Sequence, residues 1–265
     1  MKIAIIGSGG VGGYFGAKLA RAGNRVTFIA RGEHLRQLKA NGIKVKSING
    51  NFSINTITAT DEISELKSQD LILVTTKAWQ VKEVAKQISK IVGETTVVIP
   101  LQNGVMATDE LADNIPLGDI ITGSCQIISK IEVPGIINHF GIDPLITIGE
   151  KQGSISPRLE NIKRVFDEAQ INTRLSKDIN ADLWKKFIFI CVGGLITICR
   201  STYGEVRSVP ESRQLIRDVL SEGYAVSQAA DINIDANIIE KMMTNIDNLP
   251  YNSTSSLCRD VWEGK

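Results

Sequence analysis

The chain opens Ile3-Ala4-Ile5-Ile6-Gly7-Ser8-Gly9-Gly10-Val11-Gly12-Gly13-Tyr14-Phe15-Gly16, and the order of residue types in this stretch decides the fold of its first half. Ile3–Ile6 reads as a buried strand, and Tyr14–Ala22 beyond the glycines as a helix. Between them Gly7–Gly12 spells G-x-G-x-x-G. Glycine-rich turns are common, but one that leaves an apolar strand and enters a helix sets backbone N–H groups and the positive end of a helix dipole against a diphosphate. In such a loop Gly7 permits the tight turn, Gly9 lets the backbone approach the pyrophosphate, and Gly12 allows close helix–strand packing. Gly7, Ser8, Gly9, Gly10, Val11 and Gly12 are therefore cofactor-binding candidates, and the ligand class is a dinucleotide.

Working outward, Gly23-Asn24 is a turn and Arg25–Ala30 a second strand. At its end an NAD enzyme carries Asp or Glu for the ribose hydroxyls; here Arg31 stands in that place. A guanidinium suits the 2′-phosphate of NADP and offers no carboxylate to NAD, so NADPH/NADP is the expected cofactor. Lys44–Ile57 resembles a polar hairpin around Asn49-Gly50-Asn51. Leu71–Thr75 and Thr96–Ile99 are short β-rich runs separated by a helix from about Val81 to Ile91. Ile120–Ile131, Gly135–Phe140 and Leu145–Ile148 read as antiparallel strands broken by Pro134, Gly135 and Pro144. Ile155–Ala169 is helical, Ile171–Leu175 a last strand, and everything after Asp178 carries helical periodicity. The fold class is thus α/β: an N-terminal Rossmann-type domain over residues 1–174, then a smaller all-α domain over residues 175–265.

The 265 residues hold 30 basic and 29 acidic side chains, a net charge of +1, with no long block of like charge. A large nucleic-acid footprint is therefore not expected. Cys125, Cys191, Cys199 and Cys258 show no Cys-x-x-Cys pairing, which argues against a zinc site and a secreted disulfide scaffold. The apolar run behind Met1-Lys2 is too short for a signal-peptide core, and Phe187–Cys199 falls short of the roughly 20 residues that span a bilayer. The expected location is cytoplasmic, with no membrane partner. The oligomeric state is left open, a homodimer among the options.

In open α/β sheets, ligands bind beyond the carboxyl ends of the strands. Lys77 follows the strand Leu71–Thr75, and Asn103 follows Thr96–Ile99 one βαβ unit later. A cation and an amide there suit an acidic or keto substrate beside a nicotinamide, although strand ends are often merely solvated and polar. The two histidines attract less chemistry: His34 is placed near the adenine side and His139 is given a structural role. Trp79 and Trp184 are read as packing residues. Asp61-Glu62 and Asp109-Glu110 are read as helix starts.

Taken in order, the glycine loop, Arg31, Thr76-Lys77-Ala78-Trp79-Gln80 and Gln102-Asn103-Gly104 resemble the ketopantoate reductase (2-dehydropantoate 2-reductase) family. So do Ala181-Asp182-Leu183-Trp184-Lys185-Lys186-Phe187, Tyr203-Gly204-Glu205-Val206-Arg207 and Thr254-Ser255-Ser256-Leu257. The resemblance implies NADPH-dependent reduction of 2-dehydropantoate to (R)-pantoate in pantothenate and coenzyme A synthesis. It implies Lys186 as the catalytic lysine, Asn103 and Lys77 bordering cofactor and substrate, and Ser256 binding the polar end of a small keto acid. An ammonium that stabilises and protonates a developing alkoxide is sound chemistry for Lys186.

Two departures stand out. The family places asparagines one and two helical turns beyond the lysine, facing substrate; here those places hold Ile190 and Gly194. Loss of two amides should weaken binding of a polyoxygenated acid. The family also continues past the Ser256 helix to a glutamate that binds substrate hydroxyl, whereas this chain stops at Lys265; a C-terminal tail is expected to be missing. The readings that compete with 2-dehydropantoate reduction are a reductase of a more apolar 2-keto acid and a non-catalytic NADP-binding sensor.

Overall fold

The structure is a computed structural model and describes residues 1–264. It divides into two compact units, Met1–Ile179 and Asn180–Lys265. The change of pattern read at 174–175 lies where the last strand ends, and the division falls a few residues later. The intervening loop belongs to the first unit: Ser176 N donates to Ile148 O at 2.8 Å. A Cβ on Gly149 would lie 2.7 Å from Ile179 Cβ.

The first unit runs β1 (Lys2–Ile6), α1 (Gly10–Arg21), β2 (Arg25–Ile29), α2 (Gly32–Asn41), β3 (Ile43–Ser47), β4 (Phe52–Ile54), β5 (Thr58–Thr60), β6 (Leu71–Val74), α3 (Val81–Ile88), β7 (Val97–Pro100), α4 (Ala107–Ala112), β8 (Thr122–Gln126), β9 (Ser129–Val133), β10 (Ile136–His139), β11 (Leu145–Gly149), α5 (Pro157–Glu168) and β12 (Thr173–Leu175). The central sheet is parallel in the order β5-β2-β1-β6-β7. Its middle strands read as unbroken apolar runs because both faces are covered. Ile3 and Ile5 join one core cluster with α1, while Ala4 and Ile6 join a second with α3. Strand order reverses between β1 and β6, which makes the carboxyl end of β1 the switch point where such sheets bind ligands.

A second sheet, β4-β3-β10-β9, packs on α1, and a third, β12-β11-β8, continues beside β7. The strands β8 to β11 pair with one another antiparallel, as expected, β10 with β9 and β11 with β8, and β11 also pairs parallel with β12. β10 also pairs parallel with β3, because the chain from β4 to β9 intervenes between them and no turn sets their direction. The single run Ile120–Ile131 splits into β8 and β9. Helix α2, unforeseen, buries only Leu35 and Leu38 in an otherwise polar sequence, which leaves no clear stripe to read. His139 sits at 1 % exposure, with Ser47 Oγ 2.8 Å from Nδ1 and Nε2 2.9 Å from Ile142 O, and its ring lies tilted against Tyr14.

A partly buried ion pair ties the end of β11 to α5. Glu150, 9 % exposed, accepts from Ser156 Oγ at 2.5 Å and from Arg158 Nε at 2.7 Å. The Arg158 guanidinium holds the Glu150 carboxyl below its ordinary value, against the opposing effect of burial. The stability it supplies is therefore complete above the unfolded carboxyl's value of about 4.3 and fades as pH falls through the lower folded one. Glu150→Gln should cost about 2 kcal/mol near pH 7, discounted for partial exposure of Arg158, and progressively less towards pH 3. Melting temperatures of both proteins across that range check this; a gap that does not narrow contradicts it.

The second unit is all helical: α6 (Ile179–Ile198), α7 (Tyr203–Ser208), α8 (Pro210–Ala229), α9 (Ile238–Asn248) and α10 (Ser256–Trp262). Ile188, Val192 and Ile196 of α6 are fully buried and anchor its core with Ile216, Leu220 and Ile246. Among the described residues no helix is long and apolar enough to cross a membrane.

Candidate functional site

The glycine loop joins β1 to α1 at the switch point. Gly7 has φ +99°, and a Cβ there would lie 2.8 Å from Thr76 N. A Cβ on Gly12 would lie 2.3 Å from both Gly7 O and Thr75 Oγ1. Gly10 is required by a different neighbour: its Cβ would meet Ser129 O of β9 at 2.4 Å. Only Gly9 faces space, with nothing within 4 Å. It is the N-cap of α1 and offers no side-chain cap, so the N–H groups of the first turn remain available to an anion. Val11 is half-buried against the core. Ser8 is 3 % exposed, and its N and Oγ both donate to Ile29 O, at 2.9 and 3.0 Å. Its hydroxyl thus ties the loop to β2, leaving only its backbone for a ligand.

The neighbouring strand ends bring the other candidates to the same sheet edge. Arg31 is the exposed N-cap of α2 and, among the described residues, forms no ion pair; it lines a groove of about 600 Å³ with Asp61, Glu62 and Lys90. Lys77 follows β6, exposed, with Nζ 5.9 Å from the Trp79 ring centroid. Trp79 is 79 % exposed and is not a packing residue, because the short turn Ala78–Gln80 holds its indole outside. Trp184 does pack, half-buried against the second unit's core and edge-on to Phe187. Asn103 is exposed beyond β7, before Gly104 at φ +99°.

Gln102, not singled out from the sequence, is 7 % exposed, and its Nε2 ties β7 to β6 through Val74 O at 3.0 Å and Thr76 O at 3.1 Å. Its Oε1, with Thr76 Oγ1 and Ser129 Oγ, is buried without a hydrogen-bond partner. Thr76 and Ser129 are the residues closest to Gly7 and Gly10, so polar capacity awaits a partner beside the loop. The open face of Gly9, the uncapped helix start and the two unsatisfied hydroxyls, which can donate, together fit a dinucleotide phosphate, whereas the Gln102 amide oxygen can only accept.

In the second unit Lys186, Ile190 and Gly194 lie one turn apart along one face of α6. That face is about 200° around the helix from buried Ile188, Val192 and Ile196. All three are half-buried. The two mid-helix glycines have different causes. A Cβ on Gly193 would meet Ser255 Cβ at 3.0 Å, so Gly193 lets the start of α10 close on α6. A Cβ on Gly194 would meet nothing within 4 Å, so Gly194 leaves room. Ser255 caps α10, accepting from Cys258 N at 3.0 Å, and Ser256 is the exposed first residue of that helix. The contact between α10 and α6 is thus made by Ser255 at Gly193, with Ser256 the next residue along.

A Rossmann-type sheet with this loop, followed by a helical unit carrying a lysine-bearing face, defines the class as a dinucleotide-binding oxidoreductase. The family model "Ketopantoate reductase PanE/ApbA" matches residues 3–153, and its C-terminal companion matches residues 178–265. The chain belongs to the ketopantoate reductase family. Among its relatives, the oxidoreductase YkpB of Bacillus subtilis is 26 % identical over 100 % of this chain and 87 % of its own length. The 2-dehydropantoate 2-reductase of a Nostoc species is 28 % identical over 98 % of this chain and 83 % of its own. The crystal structure of 2-dehydropantoate 2-reductase from Geobacter metallireducens is similar with a TM-score of 0.92 and 28 % identity, covering 100 % of this chain and 88 % of that one.

Proposed function

We propose that the protein reduces the ketone of 2-dehydropantoate to (R)-pantoate with NADPH, serving pantothenate and coenzyme A synthesis in the cytoplasm. The observation that carries this is the match of both halves to one reductase family, with Lys186 in the Leu183-Trp184-Lys185-Lys186 stretch of α6. The glycine loop, Arg31, Lys77 and Asn103 would hold the dinucleotide, which when bound supplies a hydride. Lys186 holds the proton that the developing alkoxide oxygen takes, and its positive charge stabilises that oxygen as it forms. Asn103 and Lys77 border the ketone, and Ser256 donates to the substrate's carboxylate.

A more apolar 2-keto acid is a second reading, supported by Ile190 and the space over Gly194. The test follows NADPH oxidation with 2-dehydropantoate and with branched or aromatic 2-keto acids of similar size. A higher kcat/KM for 2-dehydropantoate supports the first reading. Preference for an apolar acid that Gly194→Asn reverses supports the second, and turnover of neither sinks both.

Cofactor choice is tested at Arg31. A charge-assisted hydrogen bond to the 2′-phosphate is worth about 2 kcal/mol, so Arg31→Ala should lower the preference for NADPH over NADH about thirty-fold. Equal preference in wild type and variant, by titration of protein fluorescence with each dinucleotide, would remove Arg31 from that role.

A further inference from the structure

We propose that His34 is a positioning residue for the cofactor, which holds the glycine loop in its binding conformation only while its imidazole is neutral. The inference rests on the dinucleotide reading of the loop. His34, on α2, is half-buried and bridges two backbone groups from distant parts of the chain. Gly135 N, in the turn between β9 and β10, donates to His34 Nδ1 at 3.1 Å, and His34 Nε2 lies 2.9 Å from Ser8 O in the loop. An amide N–H is only a donor, so Nδ1 must be unprotonated, and the ring's proton must sit on Nε2 and be given to Ser8 O. One tautomer alone satisfies both contacts.

The consequence for the loop is specific. Ser8 N and Oγ already bond to Ile29 O, and His34 takes the remaining polar group of that residue, its carbonyl. Ser8 is thereby fixed on two sides, from β2 and from α2, directly before Gly9, whose open face is where a phosphate approaches. Gly135 is itself anchored, its carbonyl accepting from Lys44 N at 2.9 Å. His34 therefore transmits the position of the second sheet to the glycine loop. Preorganisation of this kind raises affinity by removing an ordering cost from binding.

Protonation breaks the bridge, because an imidazolium has no acceptor to offer Gly135 N–H. Burial pushes the His34 imidazole below its ordinary value, and the Ser8 carbonyl only partly offsets this. The surroundings supply little that would oppose it. The glycine loop and the Pro134-Gly135 turn contain no ionisable side chain. On α2 itself Glu33 and Arg36 pair with each other at 2.5 Å, and Arg31 stands at its start. On the neighbouring strands Glu132 pairs with Lys46 at 2.8 Å, and Lys130 adds a positive charge. The bridge is thus intact at neutral pH and opens only in acid, below the range in which an ordinary histidine takes up its proton.

The test is direct dinucleotide affinity, read by fluorescence without substrate, for wild type, His34→Gln and His34→Ala between pH 5 and 8. A glutamine amide can accept at one end and donate at the other, so it restores both contacts without a titrating group. At pH 8, His34→Ala should bind NADPH about tenfold more weakly, with His34→Gln close to wild type. Between pH 8 and 5 the wild-type affinity should fall several-fold further than that of His34→Gln. The 2′-phosphate's own titration, near 6, is common to both proteins and cancels in that comparison. Parallel pH profiles for wild type and His34→Gln overturn the proposal, as does an alanine variant that binds like wild type. Should His34→Ala fail to fold, the profile comparison with His34→Gln decides alone. Absence of binding to either NADPH or NADH by wild type removes the cofactor reading, and this inference with it.

Discussion

Lys186→Ala should lower kcat for ketone reduction by about a thousandfold while leaving NADPH affinity within twofold of wild type. General acid assistance is typically worth 10² to 10⁴, and the loss of a cation from the developing oxyanion adds to it. The residue lies on the face of α6 turned away from the second unit's buried core, so truncating it removes no side chain of the Ile188–Val192–Ile196 stripe. Circular dichroism should therefore be nearly unchanged. Added small primary amines should restore part of the rate, since they supply the missing ammonium without a covalent tether. A variant that retains a third or more of wild-type kcat would show that another group gives the proton. Loss of cofactor affinity in step with rate would instead make Lys186 a dinucleotide ligand.

The second large effect separates two glycines that the motif treats alike. Gly12→Ala should destabilise the first unit by about 3 kcal/mol, at the upper end of overpacking costs. Its Cβ would stand 2.3 Å from Gly7 O and from Thr75 Oγ1, and the carbonyl is backbone that cannot rotate away. For a unit of this size that corresponds to about 6–12 °C in melting temperature. Gly9→Ala should leave stability within about 0.5 kcal/mol, because its φ of −72° suits any residue and its Cβ meets nothing within 4 Å. On the proposed dinucleotide reading a phosphate would approach through that same open space, so Gly9→Ala should weaken NADPH at least tenfold. Calorimetry and a binding titration on both variants read the two effects separately. Equal stability losses, or an unchanged affinity in Gly9→Ala, would contradict this division of labour.

The two glycines also mark where reading the chain suffices. Gly7–Gly12 behind Ile3–Ile6 announced the strand–loop–helix unit, because strand apolarity, positive-φ turn and helix start are all local properties. Most of the alternation of strands and helices to Leu175, though not α2, and the helical remainder were legible for the same reason. Arg31, Lys77 and Asn103 could be placed at strand ends by counting from the apolar runs. Their common sheet edge follows from β2, β1, β6 and β7 being neighbours. That Lys186, Ile190 and Gly194 share a face follows from the helical repeat alone.

What the tertiary structure decided are the contacts made across long sequence separations. Nothing near Gly10 in sequence foretells the β9 carbonyl that forbids it a side chain. Nothing near Gly193 foretells the cap of α10. The parallel pairing of β10 with β3 has no turn to signal it. His34, read only as a residue near the adenine side, acquires its bridging place because Gly135, 101 residues away, comes to its ring. Periodicity and motif report what a segment will be. Which backbone groups a buried side chain meets depends on how separate segments pack, and that is set by the fold as a whole.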